Sequence, residues 1–348
     1  MSRSAAAPTS ARERACVLAH ARRHGSWQLP AVSPTTPDSS APVHDQPLRQ
    51  IVAHVQGQLA AGATEIRLQV LDPDLGRGRH AGERLTIAGV EFIHRPLRVW
   101  VDLAERLGLR LLSPRPATPP TIELCLERLD PAADWHSAPV PDPREKYGAD
   151  SSFARISKLE DPDFILDLAD AIERVGLGPD ARVLELGVNR GDALTLLTER
   201  VPGLAERGEL VGLDHSSSAL ALARARLPRG RFIAADLADL AALADLELGR
   251  FDLVLAIDTL QSSGLDDRAL LRHLVQRWLA PRGAVLLGVA NCRYLDGEVV
   301  HGARMRNFRQ PELGMVIKDI AFYRKYLQQH GRKVYVTGRH ELLITAVA

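Results

Sequence analysis

One stretch, Arg182-Val-Leu-Glu-Leu-Gly-Val-Asn-Arg-Gly-Asp-Ala-Leu194, narrows most what this chain can fold into. Val183, Leu184 and Leu186 form the short apolar run expected of a strand buried on both faces. Gly187 and Gly191 then give a tight turn through which backbone can approach a ligand. From Asp192 to Glu199 the pattern is helical. A buried strand that turns through glycines into a helix is the building unit of doubly wound α/β sheets.

The unit recurs downstream, three times with an acid at the strand end. Leu210-Val-Gly-Leu-Asp214 leads through His215 and the serines 216–218 into the helix-forming run Ala219–Leu227. Arg231-Phe-Ile-Ala-Ala-Asp236-Leu237 reads as a third strand and Phe251–Asp258 as a fourth. Leu279–Val289 reads as a helix stop, a turn and a fifth strand. The chain is then expected to be irregular from Asn291 to Gln310. A helix follows, opened by Pro311 and closed by Gly331, with Val316, Ile317, Ile320 and Tyr323 on its apolar face. Two last strands, Arg332–Thr337 and Leu342–Val347, are joined by Gly338-Arg-His-Glu341.

This order of acids and glycines resembles the class I S-adenosylmethionine-dependent methyltransferases, over residues from about Leu159 to Ala348. Asn189 stands where that family often has a middle glycine, and Asn tolerates the left-handed backbone better than most residues. The resemblance implies an α/β fold whose doubly wound, seven-stranded sheet is mostly parallel with an antiparallel last strand. It implies S-adenosyl-L-methionine as cofactor, bound by Glu185, Gly187, Asn189, Gly191, Asp214, His215, Asp236, Leu237 and Asp258. Glu185 would order the loop or reach the cofactor's amino end; its bland alternative is a helix-dipole partner. Asp214 would accept both ribose hydroxyls, which suits an acceptor-only carboxylate, or would simply form a turn. Asp236 would meet the adenine amine, and Asp258 would touch cofactor or substrate or merely end a strand. A nicotinamide-binding Rossmann domain requires G-x-G-x-x-G, which Gly187, Asn189 and Gly191 do not supply.

Other chemistries fit less well. Asp258 and Asn291 evoke a catechol-type magnesium site, but Ala290 stands where its second acid belongs, so no metal is expected. Cys292 lacks the neighbours of a methyltransferase nucleophile, and Asp258-Thr-Leu-Gln-Ser262 is not an exocyclic-amine motif. Tyr147, Phe153, Arg155 and Lys158 precede the first helix of this half; Arg155 or Lys158 would pair with the cofactor carboxylate or remain solvated. His301, Arg304, Arg306 and Arg309 form a basic stretch suited to an anionic substrate or to solvent. Tyr147, His301 and Asp258 are candidates for an optional general base, and none is singled out.

The 348 residues, 45% hydrophobic and 25% charged, leave room for two domains. Residues 1–45 read as a flexible, Arg-rich tail, with a targeting segment as the alternative. Residues 46–130 read as a small α+β module. Its elements are a helix over Leu48–Leu59, a strand over Thr64–Leu71, a hairpin around Ala88-Gly89, a helix over Leu97–Leu107, and strands at Leu109–Leu112 and Thr121–Glu127. Residues 131–150 form a Pro-rich linker and 151–348 the methyltransferase domain. A net charge of +1 advertises no nucleic-acid partner, no apolar run reaches the ~20 residues of a membrane helix, and Cys16, Cys125 and Cys292 form no framework. The expectation is a cytoplasmic enzyme that methylates an O, N or C atom of a small molecule. The alternatives are an RNA or protein methyltransferase docking through residues 46–130, and a non-catalytic cofactor-fold binding module. The residues specify no oligomeric state.

Overall fold

The computed structural model describes residues 41–133, 141–302 and 314–348. Its N-terminal part is a sheet of β1 (Ala41–Pro42), β2 (Glu65–Leu71), β5 (Leu109–Leu111), β6 (Arg115–Pro116) and β7 (Thr121–Arg128). Between them lie α1 (Leu48–Ala60), the hairpin β3 (Arg84–Ile87) and β4 (Val90–Ile93), and α2 (Leu97–Arg106). Ile66, Leu68 and Val70 alternate inward along β2 and meet Ile51 and Val55 of α1, Trp100 of α2, and Leu124 and Leu126 of β7. β1 and the buried Val43 belong to this sheet although the sequence places them in the tail; residues 1–40 lie outside the described residues.

The large sheet contains β8 (Arg182–Leu186), β9 (Glu209–Asp214), β10 (Arg231–Ala234), β11 (Phe251–Ile257), β12 (Leu279–Ala290), β15 (Lys333–Gly338) and β16 (Glu341–Val347). Its order is β10-β9-β8-β11-β12-β16-β15, and β16 runs antiparallel to both neighbours. Leu184, Leu186, Val254 and Ala256 pack one face with Trp278 and Tyr323. Val183, Leu253 and Leu255 pack the other with Leu168 of α3 (Pro162–Val175) and Leu194 of α4 (Asp192–Arg200). Each fully buried Leu or Val stabilises the fold by about 1.5–3 kcal/mol, which accounts for the continuous apolar runs. α3 starts where Asp161 accepts the Asp163 and Phe164 amides, and ends at Gly176 with φ 68°.

Three readings are corrected. β12 runs unbroken from Leu279, paired with Phe251, and shifts register before Leu253 meets Ala284. Trp278 and Leu279 are buried, so the segment stays against the sheet instead of turning away. The expected irregular region from Asn291 holds a hairpin, β13 (Cys292–Leu295) and β14 (Glu298–His301), turned by Asp296 and Gly297 at φ 48° and 81°. β10 ends at Ala234, so Asp236 lies beyond it in a turn where it accepts the Ala238 amide. Arg304, Arg306, Arg309 and Pro311 lie outside the described residues, and the last helix is described as α9 (Gly314–Gln329). Among the described residues no helix is long and apolar enough to cross a membrane.

Candidate active site

The carboxyl ends of β8, β9 and β11 converge on the glycine loop, where open α/β sheets bind ligands. The Gly187 and Val188 amides donate to Leu213 O at 2.8 and 3.1 Å, pinning the loop to the end of β9. Gly187 sits at φ 68°, and a Cβ there would stand 2.3 Å from Thr259 Oγ1, so both backbone angle and space require glycine. Asn189 adopts φ 47°, the left-handed conformation its side chain tolerates, and Gly191 at φ 81° opens α4.

Asp214 is buried at the tip of β9. Its Oδ2 accepts the Asn189 amide and its Oδ1 the Ser216 amide, at 2.8 and 2.9 Å. Each carboxylate oxygen keeps a further lone pair. Ser216 caps α6 (Ser217–Arg226) by accepting from the Ala219 amide, whereas His215 is exposed. Asp236 is also exposed and Leu237 is half-buried, so this edge is the most open part of the predicted set.

Glu185 lies below the loop, 3% exposed, and among the described residues its Oε2 has no hydrogen-bond partner. Burial pushes its carboxyl well above the usual range; the charges of Asp192 and Asp214 add to this and Lys158 opposes it.

The segment carrying Tyr147, Phe153 and Arg155 crosses these strand ends, anchored by Glu145, a residue outside the predicted set. Glu145 accepts from the hydroxyls of Ser216, Ser217 and Ser218 and from the Ser217 and Ser218 amides, at the start of α6. The Ser218 and Ser216 hydroxyls hold its carboxylate down at about 2. Asn189 Nδ2 donates to Tyr147 O at 2.7 Å, and Arg190 donates to the carbonyls of Ala154 and Ile156. Thus residues 145–156 are strapped to the glycine loop and α6. Arg155 is exposed. No local signal marks Glu145, which lies in a Pro-rich stretch 71 residues before Ser216.

Lys158 follows the strap and is committed to two acids. Its Nζ bonds Asp258 at the end of β11 and Glu341 Oε2, at 3.0 Å, at the start of β16. Burial works against its charge, but Asp258 and Glu341 outweigh burial and raise its pKa above the usual lysine value. Glu341 is 5% exposed; burial and then Asp258 push its carboxyl well above the usual range, against the pull of Lys158. Asp258 holds φ 55°, an uncommon backbone for a non-glycine residue. Asn291 sits beside Glu341, with its amide on His340 O and its Nδ2 on Arg339 O. Burial, then Asp258 and Glu341, push the Cys292 thiol up to about 12, leaving it inert as a nucleophile. His301 gives its amide to Glu105 of α2, and its ring lies 6.1 Å from that of His340.

Asp161, Asp163 and His340 form a group close enough to share a cation, but Asp161 caps α3 and Asp163 pairs with Arg339 and His340. A cavity of about 570 Å³ bounded by Arg174, Asp180, Asp252 and Arg282 lies at the amino ends of the parallel strands, away from these acids.

The segment that carries this geometry has recognisable relatives. Residues 184–285 match the family model described as a methyltransferase domain. A 153-residue stretch is 30% identical to trans-aconitate 2-methyltransferase of Delftia acidovorans, covering 44% of this chain and 53% of that protein. A 70-residue stretch is 39% identical to the protein of that name from Acidovorax sp., covering 20% and 26%. The chain thus spans about a quarter to a half of the curated relatives it matches. A solved SAM-dependent methyltransferase from Aquifex aeolicus is similar at a TM-score of 0.39 and 16% identity, over 56% of this chain and 96% of that one. Residues 184–285, which hold the glycine loop and the ends of β8, β9 and β11 within the seven-stranded sheet, are thus the part of the chain that matches a methyltransferase domain.

Proposed function

We propose that the protein transfers the methyl group of S-adenosylmethionine to a small molecule. The observation that carries this reading is the lock between Asp214 and Asn189, which joins the acid of one strand end to the glycine loop of the next inside the matched segment. The buried, unpartnered Glu185 Oε2 supports the fit, because the cofactor's ammonium is a donor suited to such an acceptor. On this reading Asp214 holds the ribose hydroxyls, the amides around Gly187 and Gly191 face the cofactor backbone, and Asp236 with Leu237 borders the adenine. Asp258, committed to Lys158, stands between the cofactor and acceptor sides.

The bound cofactor supplies an activated sulfonium methyl with a neutral leaving group. The protein's part is to orient and to exclude water, and well-oriented reactants recover about 7–11 kcal/mol of barrier. The strap over residues 145–156 serves both purposes.

The small-molecule reading draws support from the relatives named trans-aconitate 2-methyltransferase. Residues 46–130 act on the acceptor side: Arg110 of β5 reaches Glu298 at 2.8 Å and Asp296 of the hairpin that also carries Cys292 and Tyr294. Buried, unpaired Cys125 and Cys292 suit a reducing, cytoplasmic setting.

Calorimetry tests the reading. S-adenosylmethionine and its demethylated product should bind while NAD does not, and labelled methyl should pass to small molecules of a cell extract. Binding of NAD without either S-adenosyl ligand would overturn it.

A further inference from the structure

We infer that the strand end carrying Lys158, Asp258 and Glu341 takes a methyl acceptor that donates hydrogen bonds, an amine or a hydroxyl rather than a carboxylate, and that Glu341 receives its proton; this rests on the methyl-transfer reading above.

Two buried acceptors stand at this strand end without a donor: among the described residues, Glu341 Oε1 and Asn291 Oδ1 have no hydrogen-bond partner, and their residues are 5% and 6% exposed. The Asn291 amide group is already spent on Arg339 O, which leaves its oxygen as the free function. Glu341 pairs with Ala290 across the β12–β16 ladder, one residue before Asn291, so both residues sit at the same end of the sheet. Its carboxylate lies over Gly288, where a Cβ would stand 2.7 Å from Oε1. The groups facing Glu341 are Lys158 from the turn before α3, Asp258 from the end of β11 and Cys292 from β13. Lys158 serves both acids with one charge.

A carboxylate placed here would bring acceptors against acceptors and add negative charge to two acids that share one lysine. Trans-aconitate, a tricarboxylate, suits this strand end badly even though relatives carry its name. An N–H or O–H group supplies the donor that the Glu341 oxygen lacks. In the transfer, the acceptor's lone pair bonds the methyl carbon as the carbon–sulfur bond breaks, its electron pair remaining on sulfur. The acceptor's proton passes to Glu341 Oε1. Burial and the neighbouring Asp258 raise the proton affinity of Glu341, which fits it to accept.

The test combines product chemistry with binding. Label from methyl-labelled S-adenosylmethionine, transferred into a metabolite extract, should survive hot alkali, as N-methyl and ether methyl groups do. Release as labelled methanol, the mark of a carboxylate ester, overturns the assignment. Glu341→Gln should slow transfer by about 100-fold or more while calorimetry finds the S-adenosylmethionine affinity within about twofold. A loss of about tenfold or more in that affinity assigns this strand end to the cofactor's amino end and overturns the inference. If no labelled product forms, saturation-transfer NMR on protein loaded with S-adenosylhomocysteine decides. Benzylamine binding that Glu341→Gln abolishes supports the assignment; binding of trans-aconitate, or of neither probe, defeats it. Should the variant fail to fold, the comparison of the two probes on the unaltered protein still decides. Failure of the unaltered protein to bind any S-adenosyl ligand defeats the methyl-transfer reading itself.

Discussion

The end of β9 and the ends of β11 and β16 both bury carboxylates, yet they hold them by opposite means. Asp214 is gripped by two backbone amides whose positions the turns around Asn189 and Ser216 fix. Asp258 and Glu341 share one side-chain ammonium, and Glu341 keeps an oxygen without a partner. A carboxylate set by backbone donors is pre-organised to present the same face to the same ligand. A carboxyl raised by burial and a neighbouring acid, as Glu341's is, can exchange a proton with whatever enters. On the proposed reading, the first end serves an unvarying cofactor and the second an acceptor undergoing chemistry.

Removing the lysine breaks this contrast most severely. In Lys158→Met the two acids face each other without their cation. Losing one partner of a buried ion pair costs about 3–5 kcal/mol, and the one-third exposure of the Asp258 side chain puts the expected loss near about 3. The deficit should grow with pH. A carboxyl whose folded pKa lies above its unfolded value, as Glu341's does, contributes stability below the unfolded value and loses it as pH rises through the folded one. Urea unfolding at pH 5.5 and 8 checks both size and sign; a variant as stable as the parent at pH 8 would show that the lysine does not neutralise the pair.

The sequence exposes the two ends unequally, for a physical reason. Asp214 closes an apolar run before a helix former, and Glu185 precedes two glycines, so local pattern suffices to find them. Glu341 stands after Gly338-Arg-His, a turn composition, yet opens β16 as a buried residue. What buries it is Lys158, 183 residues earlier, and no local period reports a pairing of that span. Glu145 is hidden in the same way. The hairpin over Cys292–His301 is a different case, because Asp296-Gly297 between Leu295 and Val299 is a readable turn signal. The neighbouring arginines and the shortness of both strands mask it. Of the sheet, the early end of β10 at Ala234 escapes the pattern, as do the bulge near Leu253 and the unbroken start of β12, which both depend on packing of Trp278 and Leu279.

A smaller effect sharpens the comparison on the Asp214 side. Glu145→Ala removes a carboxylate that binds the first turn of α6, and losses of helix-capping acceptors cost about 1 kcal/mol. The amides of Ser217, Ser218 and Ala149 should exchange with solvent faster in the variant. The parent should mimic it in acid. A carboxyl depressed from 4.5 to about 2 gives stability that is present above 4.5 and is lost as pH falls toward 2. Amide exchange of these residues unchanged by Glu145→Ala would deny the strap its anchor.

The division of labour between the two strand ends is tested most directly by titrating S-adenosylmethionine calorimetrically into the parent, Asp214→Ala and Glu341→Gln, each first confirmed as folded by its melting curve. Hydrogen bonds to a charged group are worth about 1.5–3 kcal/mol each, so Asp214→Ala should bind at least about tenfold more weakly. Glu341→Gln should bind within about twofold of the parent. Equal losses in both variants, or a loss in Glu341→Gln with none in Asp214→Ala, would contradict the assignment of cofactor to one end and acceptor to the other.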